Sequence, residues 1–185
     1  PDCGNHQGVA AWLSLIEYQD LEAIVPFIFE KGETPLLLLL DGITDVRNFG
    51  AICRSAACAG AHAVVVPQSG AAPANEDAMK ASAGALARIP LCRVRSLFTT
   101  VEWLQQSGIQ VVATALSGRA APLFEADLGS PTAFLLGSEG EGLHPKLIGM
   151  ADRAVKIPQV ADFDSYNVSV AAGIVLYETL RQRAG

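Results

Sequence analysis

The chain has 185 residues, of which half are apolar and 17% are charged, and its formal net charge is −6. A chain of this length fits a single domain, and this composition excludes an intrinsically disordered protein. The acidic balance also counts against binding nucleic acid by bulk electrostatics, because lysine and arginine neutralise phosphates. To bind RNA, such a chain needs its basic residues clustered on one face or a further segment that supplies them.

The sequence lacks the patterns typical of membrane and zinc proteins. Its longest aliphatic run, Leu36 to Leu40, is far short of the ~20 residues of a membrane-spanning helix. The four cysteines form no C-x-x-C pair and the three histidines are scattered, so we expect no metal site. Reduced, packed thiols are ordinary in a cytosolic protein, and we expect a cytoplasmic location and no membrane partner.

Residues 1–35 are expected to form a linker and one helix ahead of a domain that covers residues 36–185. The chain opens at Pro1 with neither methionine nor a secretory-type leader, which indicates a fragment whose amino-terminal portion was removed. Apolar residues from Trp12 to Ile24 recur at near-helical spacing, and Pro26 together with Lys31-Gly32 is expected to end this helix.

From residue 36 onward, short apolar runs alternate with helical patterns. We expect strands near 36–40, 62–66, 91–94, 109–114 and 132–136, and helices near 48–59, 75–83, 99–107, 145–150 and 167–181. Asn48 can cap the first of these helices, Thr99-x-x-Glu102 has the spacing of a capping box, and Gly108 stands where a helix often ends. The alternation predicts an α/β fold in which a mostly parallel sheet carries helices on both faces.

Three loops at the expected carboxyl ends of strands, where ligands of such sheets bind, contain most of the candidate functional residues. Residues 137–142 read Gly-Ser-Glu-Gly-Glu-Gly, and the glycines permit close backbone approach by a ligand. The loop lacks the lysine of a phosphate-binding loop and carries Glu139 and Glu141. A neutral or cationic ligand, such as the sulfonium of S-adenosylmethionine, therefore suits it better than a phosphate, although the loop alone could be a simple strand-to-helix turn.

The other two loops each permit a functional and a structural interpretation. Arg54 follows Asn48 by six residues and has small and apolar neighbours, so it needs a phosphate or carboxylate partner. The structural alternative is an ion pair, for example with Glu139. In the third loop, 157–167, Ser165 or Asn167 can simply cap the last helix.

The three segments together are more specific than any one of them. In this order, Asn48…Arg54, Gly137-Ser-Glu-Gly-x-Gly142 and Ile157-Pro…Ser165-Tyr-Asn-Val-Ser-Val-Ala172 closely resemble the three motifs of the SpoU/TrmH family of RNA 2′-O-ribose methyltransferases, within the SPOUT superfamily. The resemblance covers roughly residues 36–180. Residues 5–10 resemble the linker that follows an RNA-binding domain in the branch that methylates guanosine in 23S rRNA.

The resemblance implies properties that periodicity does not show. These are a C-terminal trefoil knot, S-adenosylmethionine as cofactor, RNA as substrate, and a homodimer formed through the knotted region. The implied cofactor contacts are Gly137, Ile157 and Tyr166, with Ser165 beside them and Thr114 as a weaker candidate for the pocket wall. The implied catalytic residues are Asn48, Arg54, Glu139 and Asn167.

The resemblance also bears on mechanism. A guanidinium holds its proton with a pKa above about 12 and is a poor base. We therefore expect Arg54 to clamp an RNA phosphate and to stabilise the developing alkoxide, with Glu139 orienting the guanidinium. In a homodimer, Arg54 is expected to do this across the interface. Val46 and Tyr166 depart from the family pattern, which usually has proline and leucine there, and Tyr166 is therefore expected to contact the cofactor through its backbone. Three alternatives are a tRNA 2′-O-methyltransferase, a catalytically silent RNA-binding module with the same fold, and a flavodoxin-type domain.

Overall fold

The structure, a computed structural model, describes residues 16–116, 120–160 and 165–184. Within these ranges seven strands form one sheet in the order β3-β2-β1-β6-β4-β7-β5, and every neighbouring pair is parallel. The strands are β1 Leu36–Asp41, β2 Ala63–Pro67, β3 Leu91–Val94, β4 Gln110–Thr114, β5 Ala121–Pro122, β6 Thr132–Gly137 and β7 Arg153–Lys156.

Helices cover both faces of this sheet, as the sequence predicts. They are α1 Leu21–Glu30, α2 Val46–Cys58, α3 Glu76–Ala81, α4 Leu97–Gln106, α5 Pro145–Met150 and α6 Val168–Arg183. Alternate residues of β1 serve the two sides: Leu38 lies in the core beneath α2 and α6, and Leu39 lies in the core beneath α1, α4 and α5. A strand buried on both faces must be apolar at every position, which explains the run of five leucines. The α/β fold is confirmed, and the trefoil knot stays a prediction.

The prediction of the first helix is wrong in its boundaries. The helix α1 runs through Pro26 to Glu30, and it begins where the Asp20 carboxylate accepts the backbone N–H of Glu22 at 3.0 Å. Proline inside a helix removes one backbone hydrogen bond, yet Val25 and Ile28 on either side are buried against the sheet. Burial of this apolar face outweighs the lost bond. Residues 11–15 and the linker 5–10 lie outside the described residues.

Two predicted helix caps are also wrong. The helix α2 begins two residues earlier than expected, because Asp45, not Asn48, is the cap, and its carboxylate accepts the Asn48 N–H at 2.8 Å. The Thr99 capping box does not form, because α4 already begins after Ser96, and the Thr99 hydroxyl instead donates to the Ser96 carbonyl. The prediction for Gly108 is confirmed by its left-handed φ of 80° just beyond α4.

The last helix runs from the carboxyl ends of the central strands β1 and β6 back to their amino ends. Its sixteen residues span about 24 Å at 1.5 Å per residue. At its carboxyl end the Arg183 guanidinium donates hydrogen bonds to the carbonyls of Thr34, Pro35, Leu128 and Ser130, at 2.8 to 3.1 Å. The partial burial that accompanies these bonds lowers the pKa of Arg183. These bonds fix the carboxyl end of α6 at the amino ends of β1 and β6. The amino end of the helix therefore lies at the carboxyl ends of these strands.

No helix in the described ranges is long and apolar enough to cross a membrane.

Candidate active site

The loops after β1, β6 and β7 meet at one edge of the sheet. Asp41 at the end of β1 is the register partner of Gly137 at the end of β6, and Thr114 at the end of β4 is the partner of Val155 in β7. In a parallel sheet all carboxyl ends face the same way, so loops that are distant in sequence become neighbours. Two adjoining cavities lie among these loops.

The larger cavity has a volume of about 400 Å³, within the range of small-molecule sites. Its wall includes all five predicted cofactor residues, namely Thr114, Gly137, Ile157, Ser165 and Tyr166. Apolar side chains supply much of the remaining wall, while the loop 137–142 contributes two carboxylates and β7 contributes one cation. These further residues are Leu116, Leu136, Ile148, Val155, Val168, Glu139, Glu141 and Lys156.

The glycine loop is a compact turn held by its own backbone. The N–H of Gly142 donates to the Ser138 carbonyl at 3.0 Å, and the Ser138 hydroxyl accepts the Glu141 N–H at 3.3 Å. A Cβ on Gly137 would lie 2.2 Å from the backbone of Gly142 and Leu143, closer than any side chain can approach. Glycine is required at 137 for this packing, whereas Gly142 is required for its φ of 69°.

A long-range hydrogen bond fixes the far end of this loop. The Asp41 carboxylate accepts the backbone N–H of His144 at 2.9 Å, although 103 residues separate them in sequence. The imidazole of His144 caps α5 by accepting the Lys146 N–H at 3.2 Å and packs edge-on against Phe98, with ring centroids 5.4 Å apart. The loop is thus held between the end of β1 and the start of α5. Sequence analysis missed Asp41, whose only signal is a carboxylate at the end of a buried strand.

Asn167 connects the three predicted motifs. Its Oδ1 accepts the backbone N–H groups of Ser169 at 3.0 Å and Val170 at 3.3 Å, which caps α6. Because the oxygen serves the helix, the amide nitrogen points the other way, where Nδ2 donates to Asn48 Oδ1 at 3.0 Å and to Glu139 Oε1. Three of the four predicted catalytic residues therefore lie in one hydrogen-bonded group.

The smaller cavity, of about 200 Å³, lies beside this group. It is bounded by the first and second loops and the start of α6, namely Gly42, Ile43, Thr44, Asp45, Asn48, Ser138, Glu139, Gly140 and Val168. Four of these residues, Ser138, Glu139, Gly140 and Val168, also line the larger cavity. Glu139 therefore lies between the two cavities. Sequence analysis did not predict this position, because no local sequence pattern distinguishes a loop that separates two cavities from any other loop.

Arg54 does not join the other three residues within one chain. Its side chain is exposed on α2, and no ion pair or hydrogen bond involves it in the described part of the chain. The structural alternative, a pair with Glu139, is absent among the described residues, where the Glu139 partner is Asn167. An action of Arg54 across a dimer interface stays a prediction.

The two cysteines on α2 differ in burial. Burial raises the pKa of the Cys53 thiol to about 12, so that this thiol stays protonated at neutral pH and packs in the core. Cys58 is exposed at the end of the same helix. In the described ranges, no three histidine, cysteine, aspartate or glutamate side chains come together in a way that could hold a metal ion.

Comparison with known proteins identifies the family. Residues 35–177 match the SpoU rRNA Methylase family. The 23S rRNA (guanosine-2'-O-)-methyltransferase RlmB of Vibrio parahaemolyticus is 41% identical over 180 residues, which are 97% of this chain and 72% of that relative.

Solved structures of the same family share the fold. The SpoU methyltransferase AviRb from Streptomyces viridochromogenes, in complex with AdoMet, superimposes with a TM-score of 0.80 at 31% identity, covering 91% of this chain and 66% of that one. The TrmH/SpoU tRNA modifying enzyme of A. aeolicus superimposes with a TM-score of 0.75 at 29% identity, covering 89% and 84%. This likeness overturns the flavodoxin-type alternative. The chain belongs to the SpoU rRNA methylase family.

Proposed function

We propose that this chain transfers the methyl group of S-adenosylmethionine to a ribose 2′-hydroxyl of RNA, with a guanosine of 23S ribosomal RNA as the substrate. The observation that carries the proposal is the meeting of two cavities at Glu139, with Asn167 bonding both Glu139 and Asn48. A transferase needs a donor compartment and an acceptor compartment that share a wall at the reacting atoms. Since ribosomal RNA is the substrate, we further expect a cytoplasmic location.

The larger cavity fits S-adenosylmethionine in size and chemistry. When bound, this cofactor supplies a methyl group activated by a positively charged sulfur. Apolar residues such as Leu116 and Ile157 offer a surface for the adenine ring, and the carboxylates of Glu139 and Glu141 favour a cation over a phosphate. Thr114 directs its hydroxyl hydrogen to the Leu135 carbonyl at 2.9 Å, so its oxygen remains an acceptor at the pocket wall. Gly137, Ser165 and Tyr166 complete the proposed cofactor contacts.

The smaller cavity is proposed to receive the ribose that is methylated. Asn167 occupies Oε1 of Glu139 and Oδ1 of Asn48, which leaves Glu139 Oε2 and the Asn48 amide hydrogens for a substrate. A carboxylate oxygen beside a ribose hydroxyl accepts its hydrogen bond and raises the electron density on the attacking oxygen. Glu139 therefore orients the hydroxyl, and Asn48 holds a neighbouring ribose oxygen.

Arg54 is proposed to act from the partner protomer of a homodimer. The helix α6 exposes apolar side chains at 170, 177 and 180, continuing from Tyr166, so that a stripe runs from the site along the helix. Tyr177 is 69% exposed, and a contiguous exposed apolar stripe of this kind marks a protein–protein contact surface. In a two-fold dimer the same surface meets itself, and an arginine unpaired in its own chain becomes available to the neighbouring site. There it would clamp an RNA phosphate and stabilise the developing alkoxide.

The proposal is tested with labelled S-adenosylmethionine and transcripts of 23S rRNA and of tRNA. Incorporation into 23S rRNA, with label recovered as 2′-O-methylguanosine, supports it. The likeness to the A. aeolicus tRNA modifying enzyme favours a tRNA 2′-O-methyltransferase as the second candidate, which incorporation into tRNA alone would establish. A catalytically silent module would incorporate label into neither RNA. Absence of S-adenosylhomocysteine binding in calorimetry would favour such a module over an active enzyme tested on the wrong RNA.

A variant checks the role of Arg54. We expect Arg54→Ala to abolish methyl transfer and to leave cofactor affinity within about threefold of the parent, because this residue does not line the larger cavity. Arg88→Ala removes a similar exposed positive charge outside both cavities and serves as the control. Equal transfer by Arg54→Ala and the parent would contradict the role.

A further inference from the structure

The exposed face of α2 carries two arginines and no acidic residue. In the sequence of this helix, VRNFGAICRSAAC, Arg47 and Arg54 are the only charged residues. Seven positions correspond to 700° of helical rotation, so the two side chains project from nearly the same side, about 10.5 Å apart along the axis. Phe49, Ile52, Cys53 and Ala56 are buried on the opposite side. The two arginines therefore form a positively charged ridge, which we call the α2 ridge.

Neither arginine of the α2 ridge has a partner in the described part of the chain. Both are exposed, and no described side chain forms an ion pair or hydrogen bond with them. Some other cations are engaged: Arg93 lies 3.8 Å from the centroid of the Tyr18 ring, and Arg181 is paired with Glu178 at 2.7 Å. What distinguishes the α2 ridge is that its two exposed guanidiniums lie on one side of one helix that carries no acidic residue.

The position of Arg47 does not serve the helix. It is the second residue of α2, and the positive end of the helix dipole disfavours a cation in the first turn. The residues on either side of that position face the site: Asp45 caps the helix, and Asn48 follows Arg47 directly, and both line the smaller cavity. Arg47 does not itself line the smaller cavity, but it is exposed and lies in sequence between two residues that do. A guanidinium without a protein partner beside the acceptor cavity can bind a phosphate with two parallel hydrogen bonds.

We infer that Arg47 binds a backbone phosphate of the RNA next to the target nucleotide of its own protomer, so that the α2 ridge is an RNA-contacting surface on which Arg54 serves the site of the neighbouring protomer. The inference rests on the proposed function, since it needs the ribose in the smaller cavity. It also gives an acidic chain a local means of binding RNA. Arg47 acts as a positioning residue, because it holds the strand and does not touch the reacting atoms.

The experiment measures how RNA affinity depends on salt. Each phosphate contact contributes about 0.7 to 0.9 to the slope of log affinity against log salt concentration. We expect Arg47→Gln to reduce the magnitude of this slope for a 23S rRNA transcript by about 0.7 to 0.9, the contribution of one phosphate contact. The same variant should bind the transcript roughly threefold to tenfold more weakly at low salt. Arg47→Lys should keep the slope. The matched control is Arg153→Gln, an exposed arginine at the amino end of β7, on the opposite edge of the sheet.

The outcomes separate this inference from the proposed function. A slope that Arg47→Gln leaves unchanged, in a parent that methylates RNA, overturns the α2 ridge alone. An equal loss in Arg153→Gln also overturns it, because bulk charge would then explain the effect. A parent that neither binds nor methylates the transcript overturns both. Calorimetry with S-adenosylmethionine should give the same affinity for all variants, and a loss in Arg47→Gln would point to misfolding of the site and count against a phosphate contact.

Discussion

Substitution of Asn167 separates helix capping from the organisation of the site. The side chain has two functions that use different atoms: Oδ1 caps α6, and Nδ2 holds Asn48 and Glu139. Alanine removes both functions. Aspartate keeps an oxygen for the cap but replaces the donor with a second carboxylate beside Glu139.

The expected magnitudes follow from these contacts. Loss of an N-cap costs about 1 kcal/mol, which in a chain of this size lowers the midpoint of thermal unfolding by roughly 2–4 °C. We expect Asn167→Ala to show this loss. Asn167→Asp should unfold within about 0.5 kcal/mol of the parent, because aspartate caps as well as asparagine and its repulsion from an exposed glutamate is screened by water. Both variants should lose methyl transfer by about 100-fold, since misplaced catalytic groups cost rates of that order.

The assay combines thermal unfolding, cofactor calorimetry and methyl transfer on the same preparations. Asn167 does not line the larger cavity, so cofactor affinity should remain within about threefold of the parent in both variants. Asn167→Ser is the matched control for capping, because serine caps well but has no amide donor; it should be stable and inactive. Transfer by Asn167→Asp at the rate of the parent would refute the view that Nδ2 organises the site.

Two further predictions concern packing and assembly. Gly137→Ala should fail to bind S-adenosylmethionine in calorimetry and should unfold at lower temperature, because its Cβ would lie 2.2 Å from backbone atoms of the same loop. Gly149→Ala, on the exposed side of α5, has nothing within 4 Å of its Cβ and lines neither cavity, so it should bind normally; equal behaviour of the two variants would contradict the packing. Tyr177→Glu should give a monomer in sedimentation analysis without loss of helix content, because it places a charge on the exposed apolar stripe of α6. A variant that sediments as a dimer would show that the stripe is not the interface.

Hydrophobic periodicity predicted the fold well wherever the secondary structure favoured by a segment is also the one that buries its apolar residues. A run of five leucines is a buried parallel strand only if both faces are covered, and the helical patterns on either side of it supplied that cover. Local rules failed where packing overrode them. Pro26 lies inside a helix whose apolar face is buried, and Ser96 begins α4 before the predicted box at Thr99.

For the site, the sequence by itself supplied the residues and their order along the chain. The acidic glycine loop favoured a neutral or cationic ligand, and the resemblance of the three motifs to the SpoU/TrmH family implied the chemistry, because residue types and short spacings are local properties. Only the tertiary structure decided which atoms meet. The amide of Asn167 reaches Asn48 across 119 residues of sequence, and Asp41 holds the N–H of His144 across 103. Such contacts depend on the order of the strands in the sheet, and a hydrophobic periodicity of two or 3.6 residues carries no information about that order.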